Sequence, residues 1–144
     1  MSTTPPQDYY AWVASQIGRA QPVTDWKAIP LETVSDPQLT THSGTQRQTW
    51  VGDGVVLTRV VVAANSRGKP HYHPSEQVSM ILRGGVRVHM GERVQVAMAG
   101  AIVHIPGNQV HMFEILGEET EILDVYTVRD SVDELRKRYP EPTP

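Results

Sequence analysis

The sequence predicts an all-β fold, a small antiparallel sandwich or barrel with short flanking helices, and three observations carry that expectation. From residue 46 onward the chain breaks into short apolar runs rich in Val and Ile, each too brief for a core helix. Eleven Gly and eleven Pro, without a repeat, punctuate the chain and supply the turns between those runs. At 144 residues the chain is one domain, long enough to bury roughly 68–70% of its unfolded surface in a single core.

Residues 1–45 read as an N-terminal arm. The first residues are polar, and Asp8 is placed to cap a short helix carrying Tyr9, Trp12, Val13 and Ile17 at helical spacing, with Gly18 at its stop. Pro22, Pro30 and Pro37 then interrupt any regular pattern. The arm is expected to wrap on the barrel or on a second subunit, with Trp12, Trp26 and Trp50 packing it there. Residues 46–129 form the barrel. QRQTWV and VVLTRVVVA flank Gly52-Asp53-Gly54 and read as a hairpin. The runs QVSMIL, VRVHM, RVQVAM, AIVHIP, HMFEIL and TEILDVYTV follow, bringing the total to about eight strands with turns about every 8–12 residues. Residues 130–144 supply a C-terminal helix and tail, with Ser131 and Glu134 in capping-box spacing and Leu135 as the apolar anchor.

Composition excludes several function classes. There is no cysteine, hence no disulfide, thiolate nucleophile or iron–sulfur cluster. Thirteen basic against sixteen acidic residues give a net charge of −3, which offers no footprint for nucleic acid or an anionic membrane. The N-terminus lacks the pattern of a signal peptide, and no run approaches the ~20 apolar residues of a membrane span. The expected location is cytoplasmic, and the expected partners are a small-molecule substrate and a second copy in a homodimer.

The chemistry concentrates in the histidines. His71 and His73 lie two apart, so on a strand both rings project from one face. If the strand resumes after Pro74, Gln77 points the same way, whereas Glu76 points outward; a slip of one residue would exchange them. His111 follows the Pro106-Gly107 turn and opens another strand. Across a small barrel these groups can converge. His42, His89 and His104 have no such arrangement. Asp124 interrupts an apolar strand, where a buried carboxylate is costly without a partner, so it is either a hydrogen-bonded structural group or a general acid/base. Arg59, inside VVLTRVVVA, is expected to line the barrel and hold a substrate carboxylate, or to form a salt bridge at its rim or a dimer contact. Arg47, Arg83 and Arg87 are expected to be solvated.

Two segments resemble the motifs of the cupin family. SRGKPHYHPSEQVSMILRG, residues 66–84, is similar to the first motif, with its His-x-His, later Glu or Gln, and closing Gly. GAIVHIPGNQVH, residues 100–111, is similar to the second, although Ala101 and Asn108 stand where Asp and Gly are usual. The resemblance spans residues 49–128 and implies a jelly-roll β-barrel with an interior site. It places four metal ligands on His71, His73, Gln77 and His111, with Gln in place of the usual Glu. The implied cofactor is one divalent transition metal, among nickel, zinc, iron, manganese and copper. This ligand set narrows the resemblance to small cupins similar to the uronate-linearising KdgF proteins. The run from Asp124 through Tyr126 to Arg129 resembles their Asp-x-Phe and Arg, which serve catalysis and substrate binding; here Tyr replaces Phe and Arg129 comes one residue early. Cupin hydroxynitrile lyases have a similar ligand set, and polyketide-cyclase-like cupins share the overall pattern. A neutral ligand set leaves the metal its full charge, which favours Lewis-acid chemistry. The expected activity is therefore a metal-dependent lyase or isomerase acting on a small oxygenated, uronate-like acid. The alternatives are a dioxygenase using a redox metal and O2, or a non-catalytic metal- or ligand-binding module.

Overall fold

A computed structural model describes residues 9–34, 44–128, 132–136 and 139–140. The expectations placed on Asp8, His42, Arg129 and Ser131 lie outside the described residues. Among the described residues, eleven strands form two antiparallel sheets. The six-stranded sheet runs β1 (Glu32–Val34), β2 (Thr45–Val51), β3 (Val55–Val62), β10 (Thr120–Thr127), β5 (Gln77–Arg83), β8 (Ile102–Ile105). The five-stranded sheet runs β11 (Tyr139–Pro140), β4 (His71–Tyr72), β9 (His111–Ile115), β6 (Gly85–Met90), β7 (Arg93–Met98). This is the expected double-sheet antiparallel barrel.

Alternation along the strands sets what the interior contains. On β3, Val56, Thr58, Val60 and Val62 face in; on β10, Ile122 and Asp124 do. At one end Val60, Val62, Ile81, Val86, Val88, Val103, Ile105, Ile115 and Ile122 form a purely apolar core, each larger side chain contributing about 1.5–3 kcal/mol by leaving water. Two residues along the strands the character changes. Thr49, Thr58, Asp124 and Ser79 stand opposite one another on β2, β3, β10 and β5, all four buried. They form a polar row across the inner wall. The next row carries Val51, Val56, Tyr126 and Gln77.

Helices α1 (Tyr9–Gln16) and α2 (Asp133–Arg136) pack at this second end. Eight and four residues are too few for helices stable on their own; burial holds them. Tyr9, Tyr10 and Val13 of α1 meet Val132, Leu135, Val51 and Val56, with Trp12, Tyr126 and Val128 against the cluster. The arm thus holds the short helix expected from Tyr9 onward and adds a single 3-10 turn at Trp26–Ala28 and the edge strand β1. Gln48 on the outer face of β2 donates to the carbonyls of Trp26 and Ile29, fastening that turn to the sheet.

Two loops frame the site and touch. Asn108 adopts φ 64°, a left-handed conformation that Asn tolerates better than most residues. Its backbone N–H donates to the carbonyl of His73 at 2.7 Å, so the turn before His111 is tied to the segment carrying His73. Gly107 lies so close that a Cβ there would sit 2.5 Å from the backbone oxygen of Pro74. Gly107→Ala is expected to destabilise the protein by about 1–3 kcal/mol, the cost of overpacking, and to weaken metal binding because the two loops must separate. A denaturant midpoint equal to wild type would contradict this contact.

Candidate metal centre

His71 and His111 stand directly opposite each other on β4 and β9, and His73 follows two residues after His71. One ring nitrogen from each of the three lies within 4.8 Å of the others. His73 and His111 are fully buried and His71 partly so. Each ring is aimed by its own backbone. The Nδ1 of His71 faces the carbonyl of Lys69 at 2.8 Å, that of His111 the carbonyl of Gln109 at 2.8 Å, and that of His73 the carbonyl of Ser75 at 2.9 Å. A carbonyl only accepts, so each Nδ1 carries the proton and each Nε2 carries the lone pair. That is the tautomer a metal-ligating histidine needs, and the outer hydrogen bond fixes ring direction as well.

Gln77 completes the set. Only 5% exposed, it is the first residue of β5 and points inward, while Glu76 points outward and accepts from His104 Nε2 at 2.6 Å. The orientation of its amide follows from its neighbours. Asp124, on β10, receives the Ser79 hydroxyl at 2.5 Å. Ser79 Oγ, having donated, accepts from Gln77 Nε2 at 2.9 Å, and the same Nε2 reaches Asp124 Oδ1 at 3.4 Å. The amide nitrogen therefore faces Asp124, and Gln77 Oε1 faces the histidines, 3.2 Å from His73 Nε2. Two lone pairs at that distance repel unless a proton or a cation lies between them. The donor set fits a divalent transition metal: three neutral imidazoles and one amide oxygen, all pre-aimed.

A cavity of about 110 Å³ adjoins the cluster, lined by His71, Gln77, His111, Asp124, Tyr126 and Arg47 among others. Asp124 and Tyr126 share one face of β10, and the Tyr126 ring packs edge-on at 5.9 Å from His73. Of the two roles expected for Arg59, lining the barrel or forming a salt bridge, the structure has the salt bridge. Its phase on β3 is opposite to Thr58 and Val60, so it projects from the outer face, pairs with Glu121 and lies beneath the Trp26 ring at 6.0 Å. Arg47, expected to be solvated, is the arginine that lines the cavity. It is 5% exposed, its Nε donates to Glu32 at 2.6 Å, and the Tyr9 ring covers it at 4.0 Å. Tyr9 donates to or accepts from Thr49 at 3.0 Å. Burial pushes its phenol above the usual range, with the Arg47 charge opposing, so the hydroxyl stays protonated near neutral pH.

Sequence reasoning missed Ser79 and Arg47. Ser79 had a signal, lying two residues after Gln77 on the same face. Arg47 had almost none, because QRQTWV is polar on both faces. His89 and His104 pair on the outside with Glu114 and Glu76. The Glu114 carboxyl is held below its usual range first by the His89 hydrogen bond and then by Arg87 and Arg67.

The fold is an antiparallel double-sheet barrel whose inward cluster of three histidines and a glutamine could hold a metal ion. Residues 58–126, just under half of the chain, match the sequence model of a cupin domain. Comparison with curated proteins gives no match. Among solved structures, the polyketide cyclase RemF of Streptomyces resistomycificus is similar with a TM-score of 0.67 at 18% identity, over 87% of this chain and 88% of that one. A cupin-2 domain protein of Rhodospirillum rubrum aligns with a TM-score of 0.66 at 22% identity, over 86% and 82%. KdgF from a Halomonas species aligns with a TM-score of 0.57 at 19% identity, over 60% and 82%. At such identities the likeness is one of fold.

Ser79→Ala removes the acceptor that turns the Gln77 amide. It is expected to weaken metal binding by about 10–100-fold, the usual effect of losing an outer hydrogen-bond partner of a ligand. A competition titration with a chelator reads this directly; unchanged affinity in a folded variant would contradict the orienting role.

Proposed function

We propose that this protein is a metal-dependent lyase or isomerase acting on a small oxygenated acid of uronate-like character, with His71, His73, Gln77 and His111 as the ligands. The observation that carries the reading is the pairing of a neutral ligand set with the Asp124 carboxylate on the adjoining cavity wall. When bound, a divalent metal would supply a Lewis acid beside the cavity. Asp124 would move a proton to or from the substrate at its carboxylate oxygens, within a site whose apolar walls Val56, Phe113 and Ile122 limit water. Ser79 would hold Asp124 in place, and Tyr126 would fix the near edge of the His73 ring. The uronate-like class is supported by the likeness of the Asp124-x-Tyr126 segment and ligand set to the KdgF pattern.

A dioxygenase is the competing reading, since three imidazoles also suit iron. Oxygen discriminates. Turnover of an unsaturated uronate is expected to proceed anaerobically in the metal-loaded protein, and Asp124→Asn to slow it by about 10²-fold or more. Asn keeps an oxygen that accepts from Ser79, so metal content should hold. Oxygen consumption matched to product, with Asp124→Asn at wild-type rate, would transfer the protein to the dioxygenases. Metal binding without turnover of any kind would leave a binding module.

A further inference from the structure

Arg47 is a buried cation in the wall of the same cavity that His71, Gln77, His111 and Asp124 line. Among the described residues it is the one arginine or lysine there. Its partner Glu32 does not line the cavity; it holds the guanidinium by its Nε from behind, across the β1–β2 pairing. The Tyr9 ring lies against the guanidinium and is itself anchored to Thr49. The cation is thus fixed in position before any ligand arrives. A buried ion pair is weak evidence for stability, since apolar residues of similar volume commonly do as well. An arginine braced from two sides in the wall of a cavity does have a recognition use, because a guanidinium matches the planar geometry of a carboxylate.

Charge counting agrees. With a divalent metal on four neutral ligands, Asp124 and Glu32 counted as carboxylates and Arg47 as a guanidinium, the described groups of the site sum to a net charge of about +1. A monoanion neutralises it; a neutral ligand does not.

We propose that Arg47 is the residue that selects anionic ligands for this cavity, receiving the carboxylate of a small hydroxy acid whose remaining oxygens lie toward the histidine cluster. The proposal rests on the reading of the site as one for small acids and replaces Arg59 in the role of carboxylate holder. Glu32 and Tyr9 are positioning residues for it.

The test uses the full chain loaded with metal, and titrates glycerate against its uncharged counterpart glycerol by NMR or calorimetry. Wild type is expected to prefer glycerate. Arg47→Gln should weaken glycerate by about tenfold or more, roughly the loss of one charge-assisted contact, with metal stoichiometry and the glycerol response unchanged. Arg47→Lys should recover part of the loss. Glu32→Gln should keep or tighten glycerate binding, since it removes a competing carboxylate; a merely structural pair would instead lose binding in both variants. If Arg47→Gln does not fold, the Arg47→Lys and Glu32→Gln pair carries the same contrast. Equal binding of glycerate and glycerol by wild type, glycerate binding indifferent to Arg47, or equal losses in the Arg47 and Glu32 variants would each overturn the proposal. Arg47-dependent anion binding without turnover would remove the lyase reading and leave this one standing. Turnover indifferent to Arg47 would do the reverse.

Discussion

The Asp124 carboxylate accepts from Ser79 and from the Gln77 amide nitrogen, and these two contacts determine which end of the Gln77 amide meets the histidines. A carboxylate can only accept, so the hydroxyl must donate toward it and must in turn accept from Gln77. The amide oxygen is left pointing at His73. The rest of the centre follows the same logic, with each imidazole turned by a backbone carbonyl two residues away. Four donors converge because four outward hydrogen bonds, none of them optional in a buried site, leave no other arrangement.

The barrel makes room for this by separating its contents along the strands. One end is filled with branched aliphatic side chains and provides the burial that folding requires. The row from Thr49 to Ser79 is polar and lies in register across four strands. Beyond it the short helices close the end with aromatic rings. Asp124 belongs to the polar row, so it both orients Gln77 and faces the cavity. One residue thereby links the histidine–glutamine cluster to the cavity wall.

Much of this was legible in the sequence. His-x-His on a strand fixes a shared face by its period of two, and the same count turns Gln77 in and Glu76 out. The glycines and prolines between apolar runs announced the antiparallel sheets. Phase was lost where both faces of a strand look alike. VVLTRVVV carries apolar residues on both sides of the strand, so nothing in the string says that Arg59 points away from the cavity. QRQTWV is polar on both sides, because its inner face belongs to the polar row, and Arg47 was hidden for that reason. The contact of Arg59 with Trp26 and the pairing of Glu32 with Arg47 are long-range facts that local periodicity does not encode.

The central claim is that a metal is held by three imidazole nitrogens and one amide oxygen. X-ray absorption or a crystal structure of the metal-loaded protein tests it most directly. The account predicts His71, His73 and His111 Nε2 and Gln77 Oε1 at about 2.0–2.4 Å from one ion, with the Gln77 nitrogen still toward Ser79 and Asp124. A metal bound through Glu76, with Gln77 turned to solvent, would contradict it.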